Sequence, residues 1–141
     1  MTELQARKSL RFSPIREDGE LPRRSWSSLG EFVTGYLSVV YARQVTDTID
    51  TVWCRQWWCH PEAVERLTLL WKTRELATTA VRVSGWWLGD CEPHMSALLS
   101  VSGPFKYCAT GHKTLLRPLP TDLDAAHAAG LFTPAHPPVV A

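Results

Sequence analysis

Trp53-Cys54-Arg55-Gln56-Trp57-Trp58-Cys59-His60-Pro61-Glu62-Ala63-Val64-Glu65-Arg66-Leu67-Thr68-Leu69-Leu70-Trp71 is the stretch on which the reading of this chain turns. Its second half predicts a helix. Pro61 suits a first helical turn, where its missing N–H would have no partner anyway. Glu62 and Glu65 fall in the opening turns, where the helix dipole favours anions. Val64, Leu67, Leu70 and Trp71 then recur at three- and four-residue steps and make one apolar face, which Leu76 extends. The first half has no such period. It carries three tryptophans, two cysteines and a histidine in eight residues. His60 stands just before the helix start, where the dipole disfavours imidazolium and leaves a ring nitrogen free to coordinate.

Upstream, Ser28-Leu29-Gly30-Glu31 fits a capping box. Phe32, Val33, Tyr36, Leu37, Val40 and Tyr41 continue from it as one helical face to about Arg43. Residues 44–52 read as a connection. Downstream, residues 77–83 turn to Thr, Ala and Val, so the second helix is expected to end there. A third, short helix is expected at about Pro93–Leu99, capped by Asp90 or Glu92, with Met95, Leu98 and Leu99 inward. Ser102-Gly103-Pro104 forces a turn, and Phe105 and Tyr107 lead into Cys108. Residues 1–24 are sparse in apolar groups and read as a flexible tail. Residues 118–141 read as a Pro-rich tail. The expected fold is mainly α: a domain over 25–117 with three to four helices, irregular Trp-rich loops and flexible termini.

Composition narrows the function. Fifteen Lys plus Arg against fourteen Asp plus Glu leave a net charge of +1, which argues against a strongly basic nucleic-acid glove. Apolar residues make up 45%, enough for a core. No apolar run approaches the roughly 20 residues that span a bilayer. The first residues lack the apolar stretch of an export signal, so a soluble cytoplasmic protein is expected. In that setting four cysteines read as thiols or metal ligands rather than disulfides.

Five residues separate Cys54 from His60, and three separate Cys108 from His112. Together they form a Cys2His2 set, the inventory that tetrahedral zinc prefers. A C-x3-H step places both side chains on one side of a helical turn. Cys59, Cys91 and His94 are the substitutes if one of the four is wrong. The plain alternative treats the cysteines as small buried apolar groups. The seven tryptophans admit three roles: core, base-stacking platform, or anchors in a partner's pocket. Adjacent tryptophans cannot both point one way, so one of each pair is expected to be partly exposed. Enzymatic signatures are weak. There is no Gly-rich phosphate loop and no G-x-S-x-G elbow. His94 and Asp90, four apart, are read as a helix-end hydrogen bond before a catalytic dyad.

Several of these residues together resemble a known family. They are Trp53-Cys54, Trp57-Trp58, His60-Pro61-Glu62-Ala63, Arg66-Leu67 and Leu70-Trp71. Trp86-Trp87 with Asp90, Pro93-His94, Gly103-Pro104-Phe105 with Cys108 and His112, and Gly130-Leu131-Phe132 follow. The pattern resembles the actinobacterial "domain of unknown function 4913" family. The resemblance implies a setting on plasmids, integrative elements or phages. It also implies Cys and His at positions 54, 60, 108 and 112, and no particular activity. The expected function is a non-enzymatic accessory or adaptor protein with a structural zinc and a protein partner. The alternative is a nucleic-acid-binding module using the basic N-terminal arm with Arg43, Arg55, Lys106, Lys113 and Arg117. A metal-dependent hydrolase is disfavoured by the lack of a carboxylate-rich ligand set.

Overall fold

The computed structural model describes Leu21 and residues 23–133. The expected N-terminal tail therefore lies outside the described residues except for Leu21, Arg23 and Arg24, and the end of the expected C-terminal tail, 134–141, lies outside them too.

The protein is mainly helical, and no strand forms among the described residues. Helix α1 covers 29–40: an α-helical start at Leu29–Phe32, a π-helical stretch at Val33–Leu37 and a last turn at Ser38–Val40. Ser28 caps it as the sequence suggests, its hydroxyl accepting the Glu31 N–H at 3.1 Å. The helix stops before Arg43, as the backbone leaves helical angles at Tyr41. Helix α2 covers Pro61–Leu76, with Pro61 in its first turn. Helix α3 covers 80–99 without a break, and Thr79 caps it by accepting the Arg82 N–H. Helix α4 covers Leu123–Ala128 and buries none of its residues.

The third helix corrects the sequence reading. It does not begin near Pro93, and neither Asp90 nor Glu92 caps it. The chain is helical from Ala80 and passes through Pro93 by way of a π turn at Trp87–Cys91. A proline inside a helix lacks its N–H and crowds the carbonyl four residues back. Widening the preceding turn relieves both faults. The C-terminal region is corrected as well, because α4 forms inside the stretch expected to be an irregular tail, with the Asp122 carboxylate accepting the Ala125 N–H.

The core is aromatic. Trp86, Phe32 and Phe105 are its largest fully buried side chains. Trp86 donates from Nε1 to the Leu70 carbonyl at 3.1 Å and the Thr73 hydroxyl at 3.0 Å, so its one polar atom is satisfied. Each tryptophan pair splits as expected. Trp86 is buried beside half-buried Trp87, and exposed Trp58 adjoins half-buried Trp57, with rings crossing at 84° and 83°. On α2 the inward residues are Ala63, Leu67, Leu70 and Arg74. Val64 and Trp71 are only half-buried and Leu76 is exposed, contrary to the predicted face. Arg74 takes the inner position because its guanidinium is met there. Nε donates to the Tyr36 hydroxyl at 2.9 Å and Nη1 to the Ala77 carbonyl at 3.1 Å.

Two further links fix the loops. Trp26 packs edge-on against Phe32, and its backbone N–H donates to a Glu75 oxygen that also accepts Trp71 Nε1. At the other end, Val52 N–H donates to the Leu99 carbonyl, next to a single antiparallel bridge between Thr51 and Ser100. That bridge sets residues 51–60 beside the turns that follow α3.

Candidate metal centre

The centre lies where those two irregular segments meet the start of α2. Cys54 is fixed two residues after the Val52–Leu99 bond. His60 is the residue before Pro61. Its extended backbone carries the chain out of the Trp57–Cys59 turn and into α2. Phe105, wholly buried, stands edge-on between the Trp53 ring at 5.1 Å and the His60 ring at 5.0 Å.

Cys108 and His112 come from consecutive tight turns. Gly103 N–H bonds to the Ser100 carbonyl, Cys108 N–H to Phe105 and Gly111 N–H to Cys108. Gly103 is required: a Cβ there would lie 2.4 Å from the Ala97 carbonyl oxygen. Gly111 has φ of +142°, a region that disfavours any side chain. The C-x3-H step is therefore not a helical turn, as the spacing suggests, because a left-handed glycine interrupts it. It converges its two side chains all the same.

All four sequence-predicted ligands meet. One ligand atom from each of Cys54, His60, Cys108 and His112 lies within 4.8 Å of the other three. Cys54 Sγ is 3.2 Å from His112 Nδ1, which is 3.2 Å from His60 Nε2, and Cys108 Sγ is 3.5 Å from His60 Nε2. Cys54, His60 and Cys108 are buried and His112 is half-buried. The three substitutes stay away from the cluster. Cys59 is exposed, Cys91 is buried inside the π turn of α3, and His94 Nδ1 faces Arg66 Nη1 at 3.0 Å. Arg66 is thus the hydrogen-bond partner of His94, while Asp90 acts on it through charge alone.

Burial and directed hydrogen bonds act on these donors in opposite senses. Burial pushes the Cys54 thiol up to about 11, with the neighbouring Cys108 adding to the rise, while a backbone hydrogen bond from Gln56 pulls the other way. Burial, helped by His112, holds His60 below its ordinary value and so keeps it neutral and able to coordinate. The Lys113 backbone N–H points at Cys108 Sγ from 3.4 Å. Amides directed at both sulfurs stabilise thiolates, the form that binds metal. A buried Cys2His2 cluster at these distances is compatible with a bound metal ion.

None of the four cysteines is in a disulfide, and no helix of the described residues is long and apolar enough to cross a membrane. No curated protein and no solved structure is significantly similar to the chain. The pattern of the family described as "Domain of unknown function (DUF4913)" matches residues 26–124, which take in all four helix starts and all four ligands, and the chain belongs to that family.

Proposed function

We propose that this chain is a non-enzymatic accessory or adaptor protein, held together at one end by a structural zinc ion. One observation carries the reading: the separations among the four donors. Zinc bonds of about 2.3 Å to sulfur and 2.0–2.1 Å to nitrogen give tetrahedral edges of about 3.3 Å for N–N and 3.5 Å for N–S. Three of the six separations match, 3.2 Å for the nitrogen pair and 3.2 and 3.5 Å for two of the mixed pairs, and all six lie within 4.8 Å. Four side-chain ligands complete a tetrahedron and leave no position for a substrate, which is the arrangement of a structural site. Free thiols at all four cysteines suit the reducing cytoplasm.

The adaptor part of the reading rests on exposed apolar side chains beyond the centre. Leu115, Leu116, Leu119, Leu123 and Phe132 are all more than half exposed. Such a run is the material of a protein-binding segment. A mobile-element setting is part of this proposal, as what the family resemblance implies.

Elemental analysis of protein purified without a metal-binding tag is the test. About one equivalent of zinc is expected. Chelation should lower the melting temperature, and Cys54→Ser and Cys108→Ser should each do the same without adding to one another, because they act on one site. Zinc far below one equivalent, or additive serine effects that ignore chelator, would overturn the reading.

A further inference from the structure

The two segments that the cluster joins have an unusual charge pattern. Residues 51–61 contain Arg55 and no Asp or Glu, and residues 93–121 contain Lys106, Lys113 and Arg117 and no Asp or Glu. In a chain whose charges nearly cancel, four cations and no anion share these two segments. Acids flank both segments at one residue's distance: Asp50 and Glu62 the first, Glu92 and Asp122 the second. Glu62 is already engaged by Arg66 Nε at 2.8 Å.

Large exposed aromatic rings lie on the same two segments. Trp58 is 59% exposed and Tyr107 is 42% exposed, and Lys106 Nζ sits 5.3 Å from the centre of the Tyr107 ring. A groove of about 570 Å³ runs past His60 and is walled by Tyr107, Lys113 and Arg117 together with Glu62, Leu116 and Leu119, so its two cations outnumber its one acid. A second, of about 420 Å³, runs past Cys108 and His112 and is walled by Arg55. The donor cluster thus forms the partition between two open grooves, each with positive charge at its rim.

We infer that this end of the molecule binds single-stranded nucleic acid. Cations spaced along open grooves track a phosphate backbone, and exposed rings beside them give unpaired bases a surface on which to stack. Four cations are too few for tight duplex binding by charge alone. The stacking rings supply what a duplex, with its bases already stacked, cannot use. This rests on the proposed centre, because the four ligands are what hold the two cation-bearing segments in register. It extends the adaptor reading by giving the chain a second kind of ligand, at a groove that shares Leu116 and Leu119 with the apolar run.

The test is a fluorescence-anisotropy titration of the full, zinc-loaded chain against a labelled mixed-sequence 20-nucleotide single strand, DNA and RNA, at several salt concentrations. Zinc content and melting temperature are measured on the same samples. Binding should weaken with salt at a log–log slope of about 3, from about four phosphate contacts at about 0.7 each. The duplex of the same sequence should bind more weakly. Trp58→Ala and Tyr107→Ala should each weaken single-strand binding by about fivefold or more and leave zinc content unchanged. Lys113→Glu with Arg117→Glu should weaken both forms. Absence of binding at 50 mM salt by zinc-loaded protein would overturn the inference and leave the structural centre standing. So would equal binding of poly-glutamate with no effect of Trp58→Ala, which would mark an acidic protein as the partner.

Discussion

His60 Nε2 and His112 Nδ1 point at one another across 3.2 Å, with the sulfurs of Cys108 and Cys54 close on either side. Two imidazole nitrogens in that position cannot both offer lone pairs unless something positive lies between them. Burial and the neighbouring ring hold His60 below its ordinary value, so the bare arrangement resists an added proton. A divalent cation satisfies both nitrogens and both sulfurs at once.

Acid should therefore weaken the metal-free fold. An unfolded histidine takes up its proton near pH 6.5. In the native state His60 and His94 are both held lower, by burial first and then by His112 and Arg66 respectively. Below that pH the unfolded chain binds more protons than the folded one, so the stabilisation present above pH 6.5 is lost as pH falls through the native values. Urea melts of chelated protein between pH 7.5 and 5 should show a falling midpoint. Zinc-loaded protein should fall more steeply, because thiolates are protonated as metal leaves. A flat profile for the chelated protein would contradict the buried neutral histidines.

Trp86→Ala should cost about 3–5 kcal/mol, since it removes a fully buried ring and leaves a cavity. Trp58→Ala, at an exposed ring, should change stability by less than about 0.5 kcal/mol. Denaturant unfolding of the two variants checks the contrast. Similar losses at both positions would mean that Trp58 packs into the fold.

Arg74→Met should cost about 2–4 kcal/mol, because the Tyr36 hydroxyl and the Ala77 carbonyl lose a charged donor in a buried place. Arg74→Lys should recover only part of it, as an ammonium lacks the fork that reaches both partners. Full recovery by lysine would show that charge alone matters there.

Gly103→Ala should act at a distance. Its Cβ would meet the Ala97 carbonyl oxygen at 2.4 Å, and the turn that starts there carries Phe105 and Cys108. A stability loss of about 1–3 kcal/mol, typical of overpacking, should come with weaker zinc retention in a competition with a colorimetric chelator. Wild-type retention would separate the turn from the centre.

The convergence of Cys54, His60, Cys108 and His112 was legible in the sequence because its signals are local: two Cys–His pairs and a proline that fixes where α2 begins. What that set looks like was less so. Gly111 lies inside the second pair, and glycine is the signal that the step is a turn rather than a helix. Pro93 misled for the opposite reason. Proline opens α2 but sits inside α3, where the π turn at Trp87–Cys91 accommodates it and no local signal in the sequence announces that turn. The apolar period of α2 pointed to Leu76 where Arg74 is buried, because the acceptors that make a buried guanidinium tolerable come from α1 and from the loop after α2. The cations Arg55, Lys106, Lys113 and Arg117 could be named from the sequence, but only the fold shows Arg55 walling one groove and Lys113 and Arg117 the other.

Cys54 and His112 touch across 58 positions of chain. During synthesis the ribosome releases Cys54 and His60 long before their partners. Throughout that interval the nascent polypeptide holds half a ligand set and can retain metal only weakly. Tight capture waits for His112 to emerge. With zinc bound as proposed, metal capture would follow the meeting of the two segments rather than seed it, and the supply of metal would decide whether they stay joined.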